Sequence, residues 1–370
     1  MKIYHAKSSG NDLFKALLSV NVGWSHEHPG KRGISHFLEH AIFLGNEKYS
    51  EPDRETAKYG VVLNGETLED RAVFFFTGMK EDASRVLEIL LSLVFKPSFP
   101  EDKVQEEKMS KIIPAVVKES DYYPWELAFE WARNLIFNWD FRYSMGTEEE
   151  LKNMGVEELR DWHKRYYHGE NTLLLLTEPV HFEDLEIPER GEMPRRQLVN
   201  HKKKEVIIER GLKNAEIVYG FPLENYDIRA LLLSTILGNN PTSLLWQAFH
   251  REAYMVDSHV EWHANGGLFF YLGANTRNFK NMQRKFERFL QKLKISRENV
   301  ETAKKILAVG LLEMERSPKG LYGLLKLCSS QNLKNFTEIL QSIKGIAVED
   351  LRDYASAVLT PEVMKIAVVV

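Results

Sequence analysis

The sequence predicts an α+β fold built from two homologous halves, and three observations support this. Segments with strand-like alternation of apolar and polar side chains occur in both halves, beside segments of helical period. Two pairs of segments repeat at nearly the same spacing. The composition, 44% hydrophobic and 28% charged, is that of a folded protein. We therefore expect two domains, each with an antiparallel-rich sheet and helices packed on one face.

The internal repeat is visible in two pairs of segments. GVEELRDWHKRYYHGENTLLLLT (155–177) corresponds to AVEDLRDYASAVLTPEVMKIAVVV (347–370), and each leads from a helix into a strand. VFFFTGMKEDASRVLEILLSLV (73–94) corresponds to LFFYLGANTRNFKNMQRKFERFL (268–290), and each leads from an aromatic-rich strand into a helix. The nearly equal spacing predicts a duplicated unit of about 190 residues, which is a typical domain size.

The boundary between the two halves is predicted from a change in composition. Residues 186–205, EIPERGEMPRRQLVNHKKKE, are polar and contain proline, as expected of an interdomain linker. We therefore predict an N-terminal domain over residues 1–185 and a C-terminal homologous domain over residues 206–370.

The elements of the first half follow from its periodicity. LFKALLSVNVGW (13–24) alternates like a strand, ISHFLEHAIFLG (34–45) has helical length and period, and AVFFFTG (72–78) is strand-like. The next helix is predicted to begin at Pro100, which is tolerated at a helix start. Pro114 is expected to kink or break that helix, because proline lacks an N–H group.

Charge and composition narrow the classes of partner. The net charge of −4 gives no overall attraction to nucleic acid or to anionic lipid, so we expect neither as a partner. The longest apolar runs are too short to cross a bilayer, and the first residues lack the apolar core of a secretory signal. The single cysteine, Cys328, excludes an intrachain disulfide framework. We expect a soluble cytoplasmic protein.

The predicted helix 34–45 carries the sequence His-Phe-Leu-Glu-His. On a helix His36 and His40 share a face, and Glu39 projects within roughly 100° of both. Two imidazoles can bind one Zn²⁺, and a carboxylate beside them can take a proton from the attacking water and pass it to a leaving amine. This H-x-x-E-H pattern indicates metal chemistry. The alternative is a pair of surface or capped histidines on an amphipathic helix.

The surrounding segments resemble those of the pitrilysin and mitochondrial-processing-peptidase family of zinc metallopeptidases. In the first half the resemblance rests on VGWSHEHPGKRGISHFLEHAIFLGN, VVLNGETLEDRAVFFFTG and YYPWELAFEWARNLIF. In the second half it rests on AEIVYGFPLENYDIRALLLSTILG and SLLWQAFHREAYMVDS, so that it covers the whole chain. It implies one zinc ion held by His36 and His40, with Glu39 as general base. It also implies that the two domains form half of a clamshell, and that two such halves close around an unfolded peptide.

The resemblance also points to a strand that binds substrate. The family adds its peptide to an edge strand, whose unpaired backbone groups supply the hydrogen bonds. The corresponding segment is LNGETLE, in which Asn64 and Thr67 match the family's Asn-Ala-x-Thr pattern while Gly65 and Glu66 vary. The alternative for these four residues is an ordinary hairpin.

One departure from the family concerns the third zinc ligand, a glutamate on the helix after Phe-Pro. The aligned position is Val116, which cannot bind zinc. Glu119, one helical turn further, is predicted as the substitute ligand, and a solvated carboxylate at a helix end is the alternative. Glu106 and Glu107 rank below Glu119, because they need a different helical register.

A second departure concerns an Arg/Tyr pair that the family's second domain uses to orient the substrate carbonyl. The aligned residues are His250 and Asp257, and neither can substitute directly. Paired members of the family divide the zinc motif and the Arg/Tyr pair between two subunits, which predicts a homodimer or a heterodimer with a related subunit. Two hypotheses therefore remain: a zinc endopeptidase subunit acting on short or unfolded peptides, and a catalytically degenerate scaffold or peptide-binding subunit.

Overall fold

The structure is a computed structural model, and two compact units divide its chain. It describes residues 1–5, 12–119, 123–138, 140–182, 186–195, 203–223, 227–238, 240–262, 268–330 and 336–370. Unit 1 comprises Met1–Asp121, Arg142–Gln197 and Met314–Gly323, and unit 2 comprises Tyr122–Phe141, Leu198–Glu313 and Leu324–Val370.

The sheet of unit 1 has five strands in the order β1-β5-β2-β4-β3. The strands are β1 (Lys2–His5), β2 (Leu13–Val20), β3 (Asn64–Thr67), β4 (Ala72–Met79) and β5 (Thr172–Leu176). β1 pairs with β5 in parallel, and the other three pairings are antiparallel. The short strand β3 therefore lies at one edge of the sheet.

The sheet of unit 2 repeats this plan in the order β6-β10-β7-β9-β8. Its strands are β6 (Glu205–Ile208), β7 (Ala215–Leu223), β8 (Ala253–Trp262), β9 (Leu268–Thr276) and β10 (Lys365–Val369). Its one parallel pairing, β6 with β10, matches that of β1 with β5. The α+β class and the duplication are thereby confirmed.

The helices cover the sheets and build one hydrophobic core in each unit. They are α1 (Ile34–Ile42), α2 (Pro52–Ala57), α3 (Ala83–Phe95), α4 (Glu101–Glu107), α5 (Ile113–Glu119), α6 (Pro124–Phe137), α7 (Glu148–Lys152), α8 (Val156–Tyr166), α9 (Ile228–Leu237), α10 (Leu244–Phe249), α11 (Phe279–Gln291), α12 (Arg297–Met314), α13 (Pro318–Ser330), α14 (Phe336–Gly345) and α15 (Val348–Val358). Among the described residues no helix is long and apolar enough to cross a membrane.

Unit 2 departs from the expected packing of helices on a single face. Ile217 and Tyr219 of β7 belong to the core formed with helices from the second half of the sequence, among them α9 and α11. Gly273 lies opposite Val218 and so faces the other way, where a Cβ atom at this glycine would meet the Trp125 ring of α6. The second face of this sheet is therefore also covered by a helix, because the Trp125 indole of α6 packs where Gly273 of β9 has no side chain.

The two units exchange segments relative to the predicted boundaries of 1–185 and 206–370. Helix α6, from the first half of the sequence, belongs to unit 2, and Met314–Gly323 belongs to unit 1. The predicted linker, 186–205, contains no helix or strand over its described residues until β6 begins at Glu205. The boundaries themselves stay a prediction.

The helix predicted to begin at Pro100 starts one residue later and carries an irregular turn. A π-helical segment, Lys108–Ile112, separates α4 from α5. The chain stays helical through Pro114, which lies in the first turn of α5. In an α-helix, the ring of Pro114 would clash with the carbonyl group four residues before it. The π segment shifts the backbone hydrogen bonds by one residue just before the proline, where this clash would arise.

Candidate metal centre

Two local features fix the start of helix α1. Gly33 has φ 85°, and a Cβ atom there would lie 2.4 Å from the Met145 carbonyl oxygen, so only glycine fits. The buried carboxyl group of Glu27 accepts hydrogen bonds from the backbone N–H groups of Gly33 (2.6 Å) and Ser35 (2.8 Å). These bonds satisfy N–H groups that have no partner within the helix. The first turn of α1 is therefore held from the preceding loop.

Helix α1 divides its side chains between the core and the candidate site. Phe37 and Leu38 are fully buried in the core of unit 1. His36, Glu39 and His40 present ligand atoms that all lie within 4.8 Å of one another, and the two imidazole rings are 4.7 Å apart between centroids. Among the described residues this is the only cluster with the composition and spacing of a metal site.

The His36 imidazole has properties that fit a metal ligand. Its burial and the neighbouring His40 lower its pKa to about 4, so the ring is neutral near pH 7. A neutral imidazole is the form that binds a metal ion. Its Nδ1 atom is buried and has no hydrogen-bond partner among the described residues. Because buried polar atoms are normally satisfied, this nitrogen indicates a site that the protein atoms alone leave incomplete.

The His40 imidazole is oriented by the carboxylate of Glu107, a residue that the sequence ranked below Glu119 as a candidate zinc ligand. Its Nδ1 atom lies 2.8 Å from Oε1 of Glu107, at the end of α4. Nε2 is thereby left as the ring nitrogen that can bind a metal, with Glu107 fixing ring orientation from behind. Burial raises the pKa of Glu107, but hydrogen bonds from His40 and Lys111 outweigh it, and the net shift is downward. Glu107 is therefore ionised and can stabilise the imidazole that it contacts.

The spacing of Val104 and Glu107 in the sequence indicates that Glu107 lies on the buried face of α4. Only Val104 and Glu107 are buried among the residues of α4. Their spacing of three places them on one helical face, and the valine marks that face as the one turned inward.

Glu39 lies between the two histidines and is shielded from solvent. The residue is only 8% exposed, and burial raises the pKa of its carboxyl group, opposed by His40 and by a hydrogen bond from Thr67. The Thr67 hydroxyl lies 3.5 Å from Oε2. A carboxyl group with a raised pKa binds a proton more strongly than an ordinary glutamate, which suits it to accept a proton and then pass it on.

Strand β3 runs directly beside this carboxylate. A Cβ atom at Gly65 would lie 2.3 Å from Oε1 of Glu39, so even an alanine there would displace the carboxylate. The predicted substrate residues Asn64, Gly65, Glu66 and Thr67 thus form the sheet edge next to the cluster. Among the described strands, β3 pairs with β4 alone, which leaves its outer edge for a further strand.

The residues predicted for the third ligand do not complete the cluster. Val116 is half-buried and packs against the core of unit 1, as its apolar side chain requires. Glu119 ends α5, but its side chain lies outside the described part of the structure, so its predicted role as a ligand stays a prediction. Among the described residues, Glu107 supplies a further carboxylate that is hydrogen-bonded to the cluster, through His40.

The two residues aligned with the Arg/Tyr pair lie in unit 2. His250 follows α10, is exposed, and its ring stacks on Trp246 with Nδ1 2.9 Å from that residue's carbonyl oxygen. Asp257 lies on β8, where its carboxylate accepts a hydrogen bond from the N–H group of Ser258, and burial raises its pKa. Neither side chain supplies a guanidinium or a phenol.

Comparison with protein families gives two matches along the chain. Residues 3–131 match the profile described as insulinase, peptidase family M16. Residues 178–307 match the profile described as the peptidase M16 inactive domain. The first match includes the His36/Glu39/His40 cluster, and the second begins near the end of β5 and covers most of unit 2.

Similar proteins include bacterial and mitochondrial ones. An uncharacterised zinc protease of Bacillus subtilis, YmxG, is 23% identical over 92% of this chain and 91% of its own length. The human mitochondrial-processing peptidase subunit beta is 24% identical over 51% of this chain and 41% of its own length. The similarity to the bacterial protein therefore extends over both halves.

Solved structures share the whole fold. A protease from Helicobacter pylori superposes with a TM-score of 0.82 at 18% identity, covering 100% of this chain and 96% of that one. A peptidase M16 inactive domain from Pseudomonas fluorescens superposes with a TM-score of 0.77 at 16% identity, covering 99% and 94%. At such identities the likeness concerns the fold.

Proposed function

This chain belongs to the insulinase family of M16 peptidases, and from that premise we propose that it is a zinc-dependent endopeptidase subunit that hydrolyses short or unfolded peptides. The observation that carries the proposal is the intact cluster of His36, Glu39 and His40 on α1, backed by Glu107. A chain that had lost this chemistry would have no physical need to keep a desolvated carboxylate between two imidazoles.

Each residue has a distinct part in the proposed reaction. His36 and the Nε2 atom of His40 would hold the zinc ion, and Glu107 would orient the His40 ring. When bound, zinc supplies a Lewis acid that polarises the scissile carbonyl and lowers the pKa of water. Glu39 accepts the proton of the attacking water and delivers it to the departing amine, for which its raised pKa suits it.

The substrate would bind as an additional strand on the outer edge of β3. That edge carries backbone groups without a neighbouring strand among the described residues, and it lies beside Glu39. A peptide must be extended to pair in this way, which favours short or unfolded chains over folded proteins. Gly65 allows the peptide backbone and the carboxylate to lie close together.

The proposal includes a second subunit. His250 and Asp257 stand where the family places an arginine and a tyrosine, so we propose that a related chain supplies those two groups in a homodimer or heterodimer. The location proposed for this assembly is the cytoplasm.

One specific observation favours a second candidate function. Val116 packs against the core where the family has a carboxylate ligand, which would weaken the binding of zinc. The alternative proposal is therefore a non-catalytic subunit that binds peptides along β3 or acts as a scaffold for an active partner.

A cleavage assay separates these two functions. The purified chain, and the complex isolated from its own cells through a tag, are incubated with an internally quenched unfolded peptide. We expect cleavage that a chelator abolishes and that Glu39→Gln reduces by about 10²-fold or more, with zinc content unchanged. An undiminished rate in Glu39→Gln would contradict the peptidase proposal, and the exposed Glu106→Gln serves as the matched control.

A further inference from the structure

The edge strand β3 contacts a segment from the distant second half of the sequence. Nζ of Lys319, in the first turn of α13, lies 2.8 Å from Oε2 of Glu66. The same ammonium group lies 5.5 Å from the centre of the Phe75 ring on β4. All three residues belong to unit 1, since Met314–Gly323 is part of that unit.

Buried contacts anchor this segment to the sheet. The Tyr322 hydroxyl lies 3.3 Å from the Ser19 hydroxyl of β2 and 3.3 Å from the Arg71 guanidinium, whose carbon also lies 5.2 Å from the centre of the Tyr322 ring. Nζ of Lys15 donates to the Glu315 carbonyl oxygen at 3.1 Å. Lys319 is therefore held in place over β4, one turn from a buried tyrosine.

The side chains of β3 alternate between two faces of the sheet. Gly65 and Thr67 face Glu39 on α1, as the contacts at both positions demonstrate. Asn64 and Glu66 therefore face the opposite side, which Lys319 shares with Phe75, the residue paired with Asn64. A peptide that pairs with β3 alternates in the same way, so that every second side chain points to the Glu66 side.

Glu66 and Lys319 are not equally placed towards such a peptide. Glu66 lies on the edge strand itself, so a residue directly opposite it in an added antiparallel strand has its Cβ atom about 5 Å away. Lys319 lies over β4, on the inner side of Glu66, and approaches the same carboxylate from behind. An incoming side chain thus meets the carboxylate before it meets the ammonium group.

We propose that Glu66 is a specificity-determining residue that favours substrates with a lysine or arginine side chain directly opposite it, and that Lys319 is a positioning residue that holds this carboxylate and competes for it. The inference rests on the proposed addition of the peptide to β3. Opposite charges facing each other across paired strands attract, whereas an acidic side chain in the same place would face Glu66 and be disfavoured.

The ion pair of Lys58 with Glu55 on α2 provides a matched control within unit 1. Its nitrogen-to-oxygen distance is 2.7 Å, and its side chains are 57% and 36% exposed, against 54% and 38% for Lys319 and Glu66. Removing either lysine therefore deletes one comparable surface ion pair, with a comparable small effect on stability. Only Lys319 should affect the choice of peptide.

The test uses quenched peptides of one length in which a single Lys, Gln or Glu is moved through every position. At one position we expect Lys to be preferred over Gln by about 2- to 5-fold in kcat/KM. Glu66→Gln should abolish this preference, Glu66→Lys should reverse it in favour of Glu, and Lys319→Met should increase it. Lys58→Met should leave it unchanged.

Affinities of the same peptides for the Glu39→Gln variant, measured by fluorescence anisotropy, keep the inference apart from the proposed function. If no peptide is cleaved but the affinities follow the predicted charge pattern, the peptidase proposal fails and this inference stands. A Lys/Gln ratio of one at every position, a ratio that Glu66→Gln does not change, or a Lys319→Met variant that behaves like Lys58→Met would overturn it.

Discussion

Helices α1 and α9 occupy the same place in two sheets of the same strand order, yet they differ in the chemistry of corresponding side chains. Each helix lies beside the edge strand of its sheet, β3 or β8. Counted from the first residue of each helix, His36 and Glu39 of α1 correspond to Ala230 and Leu233 of α9, and Leu233 has no exposed surface. The same strand order thus forms with alanine and leucine at these two helix positions, so the fold itself does not require the polar groups of α1.

Helices α1 and α9 also differ in how their first turns are capped. In α9 the local Asp227 accepts a hydrogen bond from the N–H group of Arg229, the usual capping arrangement. In α1 the residue before the helix is Gly33, and the cap is supplied by Glu27 from the preceding loop. A site built at this helix therefore uses longer-range support than its counterpart, and its stability depends on more residues.

Placing a charge in the apolar counterpart should give the largest effect. Leu233→Glu introduces a carboxylate into the hydrophobic core of unit 2, where Leu233 is fully buried, so we expect a loss of about 4 kcal/mol in the free energy of unfolding. Urea denaturation measures this, with Leu233→Met, expected within about 1.5 kcal/mol of wild type, as the control. If the glutamate variant were as stable as the methionine variant, position 233 would tolerate a charge, and the proposed difference between α1 and α9 would be wrong.

The cap of α1 should make stability depend on pH. Burial raises the pKa of Glu27 to about 8, although the N–H groups of Ser35 and Gly33 oppose the shift. Between pH 5 and 7 the folded state then holds a proton that the unfolded state has released. Stability should therefore fall as pH rises, by up to about 1.4 kcal/mol per pH unit. Denaturation at several pH values should reveal this slope, and Glu27→Gln should flatten it; equal slopes would exclude the mechanism.

In unit 1 the carboxylate of Glu107 contacts His40 of α1, and removing this carboxylate should weaken the metal site. Glu107→Gln deprives the His40 ring of its charged partner, so we expect zinc affinity to fall by about 10- to 100-fold. Competition with a chromophoric chelator measures the affinity. The exposed neighbour Glu106→Gln is the control, and equal affinities in the two variants would show that Glu107 does not support the site.

Making α1 resemble α9 should stabilise the metal-free protein. Glu39→Leu replaces a desolvated carboxyl group with the residue found at the equivalent buried position, and we expect a gain of about 1 kcal/mol. Thermal denaturation in the presence of a chelator tests this. The exposed Glu106→Leu should change stability by less than about 0.5 kcal/mol, and a destabilised Glu39→Leu variant would mean that the carboxyl group is well compensated.

The helices and strands could be predicted from the sequence because they depend on residues close together along the chain. The helix 34–42 and the cluster of His36, Glu39 and His40 depend on helical spacing alone, which the sequence displays directly. The duplicated sheets followed from the repeat, since homologous segments fold alike. The exchange of α6 and residues 314–323 between the units was not predicted, because it depends on packing between residues far apart in sequence.

The contacts of Glu107 and Lys319 could not be predicted for the same reason, since each joins residues far apart in the sequence. Glu107 reaches His40 across 67 positions of sequence, beside a π segment that no residue pattern announced. Lys319 reaches Glu66 across 253 positions, through a segment that has no motif of its own. Contacts of this kind depend on the tertiary structure, and the sequence alone gives only candidate residues for them.

The central claim is that α1 holds a metal ion where α9 cannot, and the zinc-to-protein ratio tests it most directly. Elemental analysis of the purified chain is compared with His36→Ala/His40→Ala prepared identically. The account predicts a ratio near one that falls towards zero in the double variant. A ratio near zero that stays there when zinc is added would contradict it and favour the non-catalytic subunit.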